Sequence, residues 1–120
     1  MIARDIHYNG QDKLLCITYD EGDYFELSAE LLRVESPSAE VKGHGIGEKK
    51  IIAGKQDVTI TAIEAVGNYA VRLIFSDGHD TGLYTWEYLH KLGKDKEKIW
   101  TEYLKNLQDK NLSRDTSTFH

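Results

Sequence analysis

The sequence predicts an α+β fold: one small domain of antiparallel β-hairpins with two short helices, followed by a C-terminal amphipathic helix. Three observations carry that expectation. Short β-prone runs are separated by glycine-marked turns, two sets of such runs end at a hydroxyl residue that opens a helical segment, and one apolar stripe with helical spacing lies near the C-terminus. At 120 residues the chain is one domain's worth, able to bury roughly two thirds of the surface its unfolded form exposes.

The elements follow in order. DIHYNGQDKLLCITYD holds two strands joined through Asn9-Gly10, a pair whose tolerance of positive φ suits a tight hairpin. A turn at Asp20-Glu21-Gly22 leads to DYFEL, and Ser28 caps a short helix AELLR that must end before Pro37. The second half runs VTITAIEA, a turn at Gly67-Asn68, YAVRLIF, a turn at Asp77-Gly78, HDTGLY, and then Thr85 capping WEYLHKL with Gly93 just past its end. Superposing Thr85 on Ser28 also brings Gly67 onto Gly10, Asp77 onto Asp20, Ile74 onto Ile17, Glu87 onto Glu30 and Leu89 onto Leu32. A repeated strand-strand-strand-helix unit would produce this coincidence, and so would shared turn and cap chemistry alone.

Between the halves, SPSAEVKGHGIGEKKIIAGKQD reads as a long surface loop. Residues 94–110, KDKEKIWTEYLKNLQDK, place Trp100, Tyr103, Leu104 and Leu107 on one helical face that packs on the preceding domain, residues 1–93. Residues 111–120 are polar and without periodicity, the pattern of a disordered tail.

Composition narrows the function classes. Cys16 is the single cysteine and sits in the apolar run LLCIT, which excludes an internal disulfide and fits a buried thiol in a reducing compartment. A net charge of -5 disfavours nonspecific nucleic-acid binding. No apolar run approaches membrane-spanning length, and MIARDIHYNG has no signal-peptide centre, so the expected location is the cytoplasm, with no membrane partner.

The stretch SDGHDTGLYTWEYL concentrates the chemistry-bearing residues. Most have structural work: Asp77-Gly78 makes a turn, Gly82 permits close approach, and Tyr84, Trp86 and Leu89 wedge a helix against a sheet. The turn does not require His79 between Asp77 and Asp80. A histidine so placed fits a metal ligand, a tuned acid or base, or a surface hydrogen-bonding group. There is no nucleophile elbow, and no histidine is followed two residues later by a carboxylate as an iron facial triad would need, so the chain reads as noncatalytic. KGHGIGEKK matches neither phosphate-loop pattern; Lys42, His44, Lys49 and Lys50 offer at most weak anion contacts.

The ordered motifs LRVESPSAEVKGHG and VGNYAVRLIFSDGHDTGLYTW resemble the gamma-butyrobetaine hydroxylase-like N-terminal domain family, over residues 6–93. The resemblance implies a domain of unknown function, common as small bacterial proteins. In eukaryotic hydroxylases it stands before an oxygenase domain, absent from the expected reading here, and is itself a noncatalytic zinc-binding module. Related domains are fused to P-loop iron-sulfur carriers, which makes iron-sulfur assembly machinery the candidate for an otherwise unidentified protein partner. In the hydroxylases three cysteines follow the LR dipeptide and a histidine lies in the D-x-H turn. Here His79 matches, but Ser36, Ser38 and Val41 stand at the cysteine positions, and neutral hydroxyls and an alkyl group do not hold zinc.

The absent catalytic motifs, the long glycine-rich loop, the exposed aromatics and the family's fusions together point to a noncatalytic adaptor with no resident cofactor. The alternative is a metal-binding or iron-sulfur accessory protein, with zinc or iron held by His79, His44 and Asp77 or Asp80 if the glycine-rich loop folds over the turn. A third arrangement has His79 bond the SPSAEV segment directly. Lys42, Gly43, Gly45, Gly47, Trp86 and Trp100 are the candidate interaction residues.

Overall fold

The computed structural model describes residues 1–38 and 51–115. Strands β1 (Ala3–Asn9), β2 (Leu14–Tyr19) and β3 (Tyr24–Ser28) form one antiparallel sheet in that order and lead into helix α1 (Ala29–Val34). Strands β4 (Ile60–Val66), β5 (Ala70–Phe75) and β6 (Leu83–Thr85) form a second such sheet, continued by α2 (Trp86–Lys94) and α3 (Lys96–Asp109). The α+β architecture is the one the sequence predicts. Both caps form as expected: Ser28 Oγ accepts from the Leu31 amide at 3.0 Å, and Thr85 Oγ1 accepts from the Tyr88 amide at 3.1 Å.

The two halves share one backbone plan. Asn9 pairs with Leu14 and Leu14 with Ser28; in the second sheet Val66 pairs with Ala70 and Ala70 with Thr85. Both opening strands break register at the same place, between Ala3 and Asp5 and between Ile60 and Ala62. The turns after the middle strands also match. The Tyr19 and Gly22 amides donate to the Asp23 and Tyr19 carbonyls, and the Phe75 and Gly78 amides to the His79 and Phe75 carbonyls.

The residue-for-residue superposition from the sequence is one place out across the middle strands. Residues 10–13 connect the first pair of strands and only residues 67–69 the second, so Ile17, which faces Ile6, corresponds to Leu73, which faces Ile63, rather than to Ile74. The first connection is also not a two-residue hairpin. Asn9 Oδ1 accepts from the amides of Gln11 and Asp12 at 3.1 and 3.2 Å, and the left-handed residue is Lys13, at φ 56°, not Gly10.

The core lies between the sheets. Leu15, Ile17, Tyr19 and Leu27 from the first sheet meet Val71, Leu73, Phe75 and Tyr84 from the second, and Leu32, Leu89 and Leu92 close the space from the helices. Each such side chain contributes roughly 1.5–3 kcal/mol by leaving water. Gly93 belongs to this packing. It lies inside the last turn of α2, which runs on to Lys94, rather than beyond the helix, and its lack of a side chain makes room for the Phe25 ring, which a Cβ there would meet at 2.4 Å.

α3 buries Tyr103 and Leu107 against Val34, with residues 51–53 packed alongside. Its apolar stripe is narrower than the periodicity predicts. Ile99 and Trp100 pack against the main core and Tyr103 and Leu107 against Val34 and residues 51–53, while Leu104 is left 40% exposed. Residues 51–53, with Ser36 and Ser38, lie in the stretch expected as a surface loop, yet the serines are buried and residues 51–53 half-buried. Val41, Lys42, Gly43, His44, Gly45, Gly47, Lys49 and Lys50 fall outside the described residues.

The tail expected to be disordered from Asn111 is tied down in its described part. Ser113 and Arg114 carbonyls accept from the Gly54 and Gln56 amides at 2.8 and 3.0 Å, and Arg114 pairs with buried Glu30. Residues 116–120 are outside the description. Cys16 is a buried free thiol, and no described helix is long and apolar enough to cross a membrane.

Candidate functional site

His79 is placed by backbone chemistry. The turn after β5 closes through the Phe75 and Gly78 amides, with Gly78 at φ 92°, a left-handed conformation that suits glycine. The imidazole is thereby aimed at the segment leaving α1. His79 Nε2 lies 2.9 Å from Ser36 Oγ, and Ser38 Oγ lies 2.7 Å from Thr81 Oγ1. Ser36 is 0% and His79 7% exposed.

Gly82 permits this approach, since a Cβ there would stand 2.5 Å from Ser36 Oγ and 3.4 Å from Pro37 Cδ. The two serines at the relatives' cysteine positions therefore meet the histidine turn directly by hydrogen bonds, the arrangement in which His79 holds the described part of that segment, residues 36–38. A hydroxyl beside an imidazole is also the geometry of an activated nucleophile. Full burial of Ser36 keeps any substrate carbonyl from reaching it.

Asp77 organises the same turn electrostatically. Its Oδ2 accepts from Arg33 Nε at 2.8 Å and Lys55 Nζ at 2.6 Å, and its Oδ1 from the His79 amide at 3.1 Å. Burial pushes the carboxyl pKa up, but the bonds from Lys55, the His79 amide and Arg33 outweigh it and hold the value down to about 2. Asp80 instead faces Arg72, at 3.5 Å, and Arg72 also holds Glu64.

The other half has its own latch: His90 Nε2 from α2 meets Asp23 Oδ2 at 2.7 Å and packs edge-on against Tyr19 and Phe25. Each half's helix thus reaches the other half's turn, Arg33 to Asp77 and His90 to Asp23. Of the candidate metal ligands, the fold brings His79 and Asp77 onto one turn, while His44 lies outside the description. Among the described residues no group of three His, Cys, Asp or Glu side chains is arranged to hold a metal ion.

A second feature lies beyond the core. An open groove of about 610 Å³ has Leu14, Leu31 and Trp100 for apolar lining and Glu26, Glu97 and Arg114 among its polar residues. Strand register explains the sheet side: Leu14 faces Ser28 and Cys16 faces Glu26, so Leu14 and Glu26 project from the face opposite Leu15, Ile17 and Leu27. Glu97 and Trp100 sit about one helical turn apart on α3. Arg114 lies over the Trp100 ring, 5.1 Å from its centroid, and its Nε and Nη2 donate to the Glu30 carboxylate at 2.9 and 2.8 Å.

Trp100 was already a candidate from the sequence. Trp86 is held elsewhere, with its Nε1 donating to the Asn68 carbonyl at 2.9 Å and its ring packed on the core. Leu14, Glu26, Glu30, Glu97 and Arg114 carried no sequence signal, because they come from widely separated segments.

Two matched three-stranded sheets, each running into a capped helix and joined by reciprocal turn latches, define a small α+β module. The chain belongs to the gamma-butyrobetaine hydroxylase-like, N-terminal family, whose model matches residues 6–90. Two NMR solution structures are each 42% identical to it, cover 99% of this chain and 95% and 92% of their own, and superpose with TM-scores of 0.83 and 0.82. A crystal structure of a protein of unknown function from Acidithiobacillus ferrooxidans, belonging to the DUF971 family, is 36% identical. The similarity covers 76% of this chain and 91% of that one, with a TM-score of 0.65. No curated protein matches the chain.

Proposed function

We propose that this domain is a noncatalytic binding module, an adaptor that holds a segment of another protein in the groove at Trp100. The groove itself is the observation that supports this most: about 610 Å³ of open space with Leu14, Leu31 and Trp100 along it. The groups of greatest chemical potential are turned inward instead, with Ser36 and His79 buried against each other and Asp77 engaged by two cations. Through the family resemblance, the iron-sulfur assembly machinery is the partner class to examine first.

Selection of a random displayed peptide library on the purified domain tests the reading. Binders should be enriched on the wild type and lost on Trp100→Ala. No enrichment, or enrichment that ignores the substitution, would overturn it.

The second reading is metal handling by His79 and Asp77 with His44, for zinc or iron. It draws support from the His79 amide bond to Asp77, which fixes the spacing of imidazole and carboxylate on one turn. It ranks second because a metal would displace Ser36 from the imidazole and Lys55 and Arg33 from the carboxylate. Titration with zinc, then with ferrous iron under anaerobic conditions, read by amide NMR, separates the two. Saturable shifts centred on His79 would place metal handling first.

A further inference from the structure

The groove's charges are unequally matched, and the mismatch indicates what it takes. Glu26, Glu30 and Glu97 line it against Lys96 and Arg114, an excess of one carboxylate. Glu30 is buried and neutralised by Arg114, and the Lys96 ammonium keeps its charge, since it donates to the neutral Glu26 backbone carbonyl at 3.2 Å. Glu26 and Glu97 remain as exposed carboxylates. The Glu26 carboxylate accepts from the Tyr24 hydroxyl, a neutral donor, and neither carboxylate forms an ion pair with a described residue. An apolar strip of Leu14, Leu31 and the Trp100 indole shares the groove with them.

We propose that the groove binds a short segment of another protein in which an apolar side chain is flanked by arginine or lysine. The apolar group lies on Leu14, Leu31 and Trp100, and the cations face Glu26 and Glu97. This rests on the binding-module reading above and adds the partner's chemistry.

The molecule already contains one example of the recognition. Arg114 places its guanidinium over the Trp100 ring and its N–H groups on a carboxylate, the two contacts an incoming arginine makes on such a wall. Arginine suits both, because its planar cation stacks on an indole and forks onto a carboxylate. An acidic segment would instead meet two exposed carboxylates against the one Lys96 ammonium, in a chain whose net charge is -5. Charge complementarity therefore favours a basic, apolar-centred partner over an acidic or purely apolar one.

The test uses the full chain carrying Trp86→Phe, so that Trp100 alone reports by fluorescence, with amide NMR in parallel. The probe is a short synthetic peptide of leucines flanked by arginines, beside its charge-reversed counterpart with glutamates. The arginine peptide should bind saturably, weaken with added salt, and weaken roughly five- to tenfold in the Glu26→Gln, Glu97→Gln double variant, as two exposed ion pairs allow. The glutamate peptide should not bind. Equal binding of both peptides, or affinity indifferent to the double substitution, overturns the proposal.

Failure of this proposal is distinguishable from failure of the broader one. If the arginine peptide fails while library-selected neutral or acidic peptides bind in a Trp100-dependent way, the module reading stands and this partner chemistry falls. If no peptide binds, both fall. A concentration-dependent dimer in sedimentation that Trp100→Ala dissolves assigns the groove to a second copy of the chain and also overturns the proposal.

Discussion

Replacing Ser36 with alanine removes the hydroxyl that His79 Nε2 meets at 2.9 Å, at a position that is 0% exposed. Water cannot readily substitute in so closed a place, so the cost combines a lost hydrogen bond, about 1 kcal/mol net, with the penalty of a buried nitrogen left without that partner. The expected total is about 1–3 kcal/mol. For 120 residues, with an unfolding entropy of roughly 2.1 cal/mol/K per residue, the melting temperature should fall by about 4–12 °C. Calorimetry on Ser36→Ala, His79→Ala and the double variant measures both the loss and the coupling, expected at about 1 kcal/mol or more. Amide exchange should quicken at Ser38, whose N–H donates to Ser36 Oγ. A Ser36→Ala loss below about 0.5 kcal/mol, or additive single effects, would refute the claim that this contact pins the segment to the turn.

Three further outcomes follow from the same geometry. Gly93→Ala, which in an ordinary helix gains about 0.5–1 kcal/mol, should destabilise by about 1–2 kcal/mol, because its Cβ would meet Phe25 ring atoms at 2.4–2.7 Å; chemical denaturation showing a more stable variant would contradict that packing. Asp77 has its pKa lowered from 3.8 to about 2, so its stabilisation is complete above about pH 5 and is lost as pH falls from about 4 towards 2, where the unfolded chain takes up the proton first. Asp77→Asn should flatten the stability curve in that window, and parallel curves for the two proteins would deny Asp77 that role. Arg114→Ala strips buried Glu30 of its cation and should cost on the order of 2 kcal/mol, below the range for fully buried pairs because Arg114 is itself 37% exposed. Urea unfolding that places the variant within about 0.5 kcal/mol of wild type would show that water replaces the arginine.

By itself the sequence determined the strand order, the two capped helices and the shared plan of the halves. These rest on turn, cap and period chemistry that acts over a few residues: Ser28 and Thr85 cap helices in isolation from everything else, and Gly78 takes its positive φ within one turn. Where local readings failed, packing overrode them. Gly93 looked like a helix stop and is a gap filled by the Phe25 ring, while Leu104 looked buried and is 40% exposed. The tertiary structure alone decided which distant side chains meet: His79 with Ser36, Arg33 with Asp77, Arg114 with Glu30, and Leu14 with Trp100 along one groove. Those pairings depend on how two sheets close over a shared core and where the C-terminal helix lies against them, and neither is encoded in any single segment.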